Sequence, residues 1–127
     1  MSGLMVLLGV VAVALSLLTV GGCNTSGAKL DHDVIPAGCE DAFFSGRSEA
    51  VDWFRRKYGA APYIPALKVE VVSPSRISGC WAVTVSANRV LISEAVPQNK
   101  KRGVLAHEWR HILNKANGKL DDEGAVQ

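Results

Sequence analysis

Residues 103–118 read GVLAHEWRHILNKANG, and the spacing of their apolar side chains predicts an amphipathic helix. At about 100° per residue, one side of such a helix collects the apolar side chains. These are Leu105, Ala106, Trp109, Ile112, Leu113 and Ala116. The other side collects His107, Glu108, His111 and Lys115. The helix is therefore expected to bury its apolar face against a sheet, to present its polar face to solvent, and to end at Asn117-Gly118.

The segments before this helix predict one further helix and three strands. Residues 48–59, SEAVDWFRRKYG, combine an N-cap candidate in Ser48, an apolar stripe and a stop in Gly59. Residues 66–73, 80–86 and 89–93 have strand-like patterns, and only two residues separate the last two segments, which suggests a tight hairpin. The order helix, three strands, helix predicts a small α+β domain.

The N-terminal segment is typical of a targeting or anchoring sequence. Leu4 to Val20 is mostly apolar and contains no charge, and Val20-Gly21-Gly22-Cys23 follows. This pattern resembles a bacterial lipobox, in which Cys23 would carry lipid, although no Lys or Arg precedes the apolar run. The alternative is an uncleaved membrane anchor. We therefore expect a signal or anchor over residues 1–22, a flexible tether over 23–36 and a folded domain over 37–127.

The predicted compartment follows from the anchor and the cysteines. By the lipoprotein resemblance, the domain lies in the cell envelope, on the periplasmic face of the outer membrane in a Gram-negative cell. Such a compartment permits disulfides, so Cys39 and Cys80 are predicted to form one, two free thiols being the alternative. The formal net charge of +2 is too balanced to indicate a nucleic-acid partner.

The two histidines have the spacing of a metal site. Imidazoles at positions i and i+4 lie one turn apart on a helix, where both can reach one Zn²⁺ ion. A third ligand and a water complete a tetrahedral site, and Zn²⁺ lowers the pKa of that water toward about 7. Glu108, between the histidines, can accept a proton from the water as a general base. A pair of solvent-exposed histidines without function is the alternative.

Residues 87–113, ANRVLISEAVPQNKKRGVLAHEWRHIL, resemble the strand, loop and active-site helix of the zincin metallopeptidases. The resemblance implies a zincin-like domain over residues 37–127, and only His107, Glu108 and His111 match residue by residue. It also implies that the edge strand before the helix holds the substrate backbone, and Arg89–Ser93 is the candidate for that strand.

The third ligand is left open by the departures from the zincin motifs. Metzincins have Gly and His where this chain has Asn114 and Asn117, and the thermolysin-type glutamate lies farther from the second histidine than this chain extends. The remaining candidates are Asp121, Asp122 and Glu123, of which Glu123 has the longest reach. A solvated acidic segment is the alternative.

Together these patterns predict a membrane-tethered, extracytoplasmic zinc metallopeptidase that acts on a polypeptide. The alternative is a non-enzymatic lipoprotein, an envelope or phage-encoded interaction module in which the histidine pair is incidental or structural. A metal-dependent hydrolase of a non-peptide amide, such as a cell-wall bond, also fits the sequence.

Overall fold

The computed structural model describes residues 30–126, which form the predicted α+β fold of two helices and a three-stranded mixed sheet. The predicted signal or anchor, Cys23 and the first part of the predicted tether lie outside the described residues. Neither helix within residues 30–126 has the length and apolar character needed to cross a bilayer.

Helix α1 spans Glu40–Tyr58 and starts earlier than the predicted Ser48. Glu40 and Asp41 lie in its first turn, where negative charge favours the helix dipole, so Ser48 lies inside the helix. The predicted end is confirmed, because Gly59 adopts a φ of 79° and its N–H donates to the carbonyl of Arg55.

Three strands, β1 (Lys68–Val72), β2 (Ala82–Ser86) and β3 (Arg89–Ser93), form a sheet in the order β1-β3-β2. Strand β3 pairs parallel with β1 and antiparallel with β2, and the predicted hairpin is confirmed. The expectation that Arg89–Ser93 is an edge strand is wrong, because neighbours occupy both of its edges. Most of its side chains are buried, as in a central strand. The edge strands are β1 and β2.

The two faces of the sheet are covered to different extents. Helices α1 and α2 cover one face, where the main core lies, and α2 spans Lys101–Ala116 after a 3₁₀ turn at Gln98–Lys100. A 3₁₀ turn at Pro74–Ile77 covers the other face with a smaller apolar cluster. The predicted apolar face of α2 is buried from Leu105 to Leu113.

The helices meet at Gly46, which allows the backbone of α2 to approach α1 closely. A methyl group on Gly46 would lie 2.9 Å from the backbone nitrogen of Ala106. Beside this contact, the rings of Phe43 and Trp109 meet edge to face, with centroids 5.4 Å apart. Gly46 thus sets the position of the helix that carries the two histidines.

The domain boundary and the cysteines differ from the sequence-based expectations. Ordered contacts begin before the predicted boundary at residue 37, because Val34 bridges to Lys68 and the Asp33 carboxylate accepts a hydrogen bond from the backbone of Leu67. Cys39 and Cys80 are free thiols rather than the predicted disulfide. Cys39 is buried directly before α1, which raises the pKa of its thiol, whereas Cys80 is exposed ahead of β2. The two thiols therefore lie in different environments.

Candidate metal centre

The two histidines of α2 lie one turn apart and turn the same ring nitrogen toward one carboxylate. Their ring centroids are 5.1 Å apart. Nε2 of His107 lies 2.9 Å from Oε1 of Glu123, and Nε2 of His111 lies 2.9 Å from Oε2 of the same side chain. Glu123 therefore spans the space between the two imidazoles. Asp121 and Asp122, the other two acidic candidates, do not.

Asp121 lies behind His111 rather than in front of it. Its Oδ1 is 2.8 Å from Nδ1 of His111, and its Oδ2 forms an ion pair with the Lys115 ammonium at 3.0 Å. A carboxylate on Nδ1 orients the ring and leaves Nε2 to bind a ligand, as in carboxylate–histidine–metal arrangements. Asp122 is exposed and accepts a hydrogen bond from the backbone of Ala125. Asp121 is thus placed as a support for the histidine.

The C-terminal segment, residues 117–126, is folded back across α2. Gly118 adopts a φ of 68°, and the backbone N–H of Lys119 donates to the Asn114 carbonyl, which reverses the chain direction. Farther along, Val126 is fully buried in the main core. The Arg110 guanidinium donates to the Val126 carbonyl at 2.7 Å. The segment is therefore held at both ends, with Glu123 between them.

Glu108 is buried beside the histidines, contrary to the solvent-facing position expected from the helical pattern. Only 7% of Glu108 and 8% of His111 remain exposed. Oε1 of Glu108 accepts a hydrogen bond of 2.8 Å from the Thr84 hydroxyl on strand β2. Within residues 30–126, its second oxygen has no hydrogen-bond partner. Strand β2 and the C-terminal segment thus cover the polar face of the helix, and Glu108 keeps one oxygen for a ligand.

Two cavities, of about 450 and 420 Å³, lie on either side of Glu108 and share its side chain and that of Glu123. The first reaches toward the start of α2, and the second toward His111, Lys115 and the acidic segment. On the opposite wall, Trp81 and Ala82 line the first cavity, and residues 82–84, at the start of the edge strand β2, line the second. The cavities together form a groove between β2 and α2, with the histidines along it.

The donor atoms fit a divalent metal ion. His107, His111 and Glu123 each offer one ligand atom, and these three atoms all lie within 4.8 Å of one another. Two imidazole nitrogens and one carboxylate oxygen match the donor set of three-ligand catalytic zinc sites. The cavities also gather four carboxylates, from Glu108, Asp121, Asp122 and Glu123. A divalent cation would offset this concentration of negative charge.

Sequence reasoning did not identify Thr84 or the supporting position of Asp121. Thr84 lies in the middle of a strand whose pattern indicates only a pleated, half-buried segment. Its contact with Glu108 depends on how the helix crosses β2, for which the sequence offers no local signal.

The chain matches no protein-family model, and comparisons with curated proteins and with solved structures likewise find no match. The geometry of the site and the spacing of His107, Glu108 and His111 are therefore the features that indicate a function.

Proposed function

We propose that this protein is a minimal zinc metallopeptidase that hydrolyses peptide bonds outside the cytoplasm. One observation carries the proposal. Nε2 of both motif histidines faces the two oxygens of a single carboxylate, 2.9 Å from each, and the motif glutamate lines the cavities beside them. Three candidate ligands and a candidate base thus meet at an open groove.

His107, His111 and Glu123 are the residues that would hold the ion. The Asp121 carboxylate on Nδ1 of His111 favours the tautomer with a free lone pair on Nε2, as a ligand histidine requires. When bound, Zn²⁺ would supply Lewis acidity, lowering the pKa of a water toward about 7 and polarising the substrate carbonyl.

Glu108 is the proposed general base. The Thr84 hydroxyl holds one carboxylate oxygen, and the other can accept the proton of a water that attacks the scissile carbonyl. The same carboxylic acid then donates this proton to the leaving amine. Burial of Glu108 next to an open cavity keeps the carboxylate positioned and limits competing water.

The edge strand β2 replaces Arg89–Ser93 as the proposed binding site for the substrate backbone. Strand β2 lies at the edge of the sheet, and its first residues line the groove beside Glu108. An extended polypeptide could pair with its outer edge and pass between the two cavities. Such a substrate would lie across the candidate ligands.

The cellular location is proposed from the N-terminal pattern. Lipid on Cys23, or an uncleaved apolar segment, would tether the domain to the envelope membrane. A Cys23→Ala substitution is expected to abolish incorporation of radiolabelled palmitate, and retained labelling would exclude the lipoprotein anchor.

The catalytic role is tested with Glu108→Gln, measured on peptide substrates and by metal analysis. The amide cannot accept the proton, so the rate should fall by roughly 10²–10⁴-fold while bound Zn²⁺ stays stoichiometric. Glu49→Gln, on the exposed surface of α1, is the matched control and should keep full activity. Full activity in Glu108→Gln would refute the mechanism.

Metal analysis separates the enzyme from the interaction module. Protein purified without chelator should contain about one Zn²⁺ per chain, and His111→Ala should lose it. Protein without bound metal that shows no hydrolysis in added Zn²⁺ would favour the non-enzymatic lipoprotein. Hydrolysis of a cell-wall amide, without hydrolysis of any peptide, would support the proposed metal site but show that its substrate is not a polypeptide.

A further inference from the structure

The cavity at the start of α2, which we call the Trp81 cavity, has the features of a substrate-selecting subsite. It is lined by Trp81 from the β2 side, by Lys100 and Gly103 from the helix side, and by His107, Glu108 and Glu123 of the candidate centre. Its volume of about 450 Å³ is large enough for one bulky side chain with adjoining backbone.

Trp81 supplies an accessible aromatic surface at this cavity. It is 46% exposed, whereas Trp53 and Trp109 are buried in the main core. Leaving an indole partly in water gives up apolar burial that would stabilise the fold. A flat apolar side chain of a ligand would restore that burial, so Trp81 is suited to contact substrate.

Gly103 keeps the helix wall of the cavity open. The fold does not require glycine here, because a methyl group added to Gly103 would meet no atom within 4 Å, and the position lies inside α2. Glycine inside a helix is less favourable than alanine. The missing side chain therefore leaves room on the helix side of the cavity.

Lys100 places a positive charge on the wall of a cavity that Glu108 and Glu123 also line. Its side chain is exposed, and among residues 30–126 its ammonium makes no ion pair. Lys100 lies directly before α2, and a positive charge at the N-terminus of a helix is unfavourable for the helix dipole. The first turn of α2 contains no acidic residue that would offset this charge. A carboxylate of a ligand in the cavity could pair with this ammonium.

We propose that the Trp81 cavity selects the substrate, binding an apolar side chain against Trp81 and Gly103 and an adjoining carboxylate at Lys100. The carboxylate could belong to an acidic residue or to a chain terminus, since both offer the same group to the ammonium. This inference rests on the proposed function, because it assigns the cavity to the substrate of that site.

Binding is measured without turnover, using full-length Glu108→Gln protein in detergent and fluorescein-labelled hexapeptides. The peptides contain Phe-Glu, Phe-Gln or Phe-Lys at the centre of an otherwise Gly/Ala sequence, with amidated ends. A further pair ends in Phe with a free carboxylate or an amide, which separates the two sources of the carboxylate. Fluorescence anisotropy is expected to show Phe-Glu or terminal Phe carboxylate binding at least tenfold more tightly than Phe-Lys.

Three further substitutions test the assignment. Lys100→Glu should reverse the preference, so that Phe-Lys binds more tightly. Arg102→Glu, an equal charge change at an exposed residue that does not line the cavity, should leave the order unchanged. Gly103→Leu should weaken binding of every Phe peptide at least tenfold by filling the cavity, and circular dichroism would verify that each variant is folded.

The outcomes distinguish this inference from the proposed function. A charge preference that reverses in Lys100→Glu supports the subsite even where the unsubstituted protein hydrolyses nothing. Zinc-dependent hydrolysis by the unsubstituted protein, without a charge preference or with one that Lys100→Glu does not alter, overturns the subsite and leaves the metallopeptidase in place. Absence of peptide binding also overturns the subsite.

Discussion

Metal binding should depend on a buried valine three residues beyond the proposed third ligand. Val126 is fully buried in the main core and holds the C-terminal segment against α2. Burial of a valine side chain contributes roughly 1.5–3 kcal/mol, and Val126→Asp would replace this with the cost of a buried, unpaired carboxylate. The segment is therefore expected to undock, taking Glu123 away from the histidines while the rest of the domain stays folded.

The magnitude follows from the coupling between docking and ligation. If undocking becomes favourable by about 2–3 kcal/mol, metal binding has to supply that free energy, and the apparent Kd for Zn²⁺ rises by roughly 30–150-fold. Competition with a chromophoric chelator measures this Kd, and near-ultraviolet circular dichroism verifies the fold.

Leu120→Asp is the matched control for this substitution. It adds the same charge to the same segment at a side chain that is 76% exposed, so the Kd should change little. A folded Val126→Asp protein whose Kd lies within threefold of that of Leu120→Asp would refute the reasoning. The milder Val126→Ala should shift the Kd in the same direction by less.

Four further substitutions probe helix packing, helix propensity, histidine orientation and surface charge. Gly46→Ala should lower the free energy of unfolding by about 1–3 kcal/mol in chemical denaturation, since the methyl group meets the α2 backbone, whereas Gly103→Ala should raise it by about 0.5–1 kcal/mol. Asp121→Asn should weaken Zn²⁺ binding about 10–100-fold by releasing His111, and an unchanged Kd would exclude this support. The hydrogen bond from Arg89 lowers the pKa of Glu70 from its ordinary value of 4.5. The ionised Glu70 therefore stabilises the fold above pH 4.5, and this stabilisation is lost as the pH falls through the pKa of the folded state. Glu70→Gln should therefore cost about 1 kcal/mol or less at pH 7, and a loss that persists at pH 2 would contradict this origin.

The elements were the most predictable part of the structure. The helix over residues 101–116, the hairpin before it and the stop at Gly59 follow from periodicity and turn chemistry, which act over a few residues. The start of α1 was missed because Ser48, a plausible cap, lies inside a longer helix whose first turn is acidic. Capping residues indicate where a helix can begin or end, and tertiary packing determines which of these positions the helix uses.

Only the part of the candidate site that lies on helix α2 was predictable from the sequence. The i, i+4 spacing places His107 and His111 on the same side of any helix that contains them. The burial of Glu108 and His111 was missed, because the pattern of α2 alone does not indicate which segments cover its polar face. The order of the strands, which puts β2 rather than Arg89–Ser93 at the edge, depends on the parallel pairing of β1 with β3.

The sequence by itself determined a helix with two imidazoles one turn apart and a glutamate between them, because helical geometry depends on local spacing. Tertiary structure decided which carboxylate meets those rings. Val126 enters the core and Gly118 turns the chain, so Glu123 faces both Nε2 atoms while Asp121 lies behind His111. The physical reason is that burial of an apolar side chain fixes the path of the segment, and that path selects among three neighbouring acids of similar chemistry.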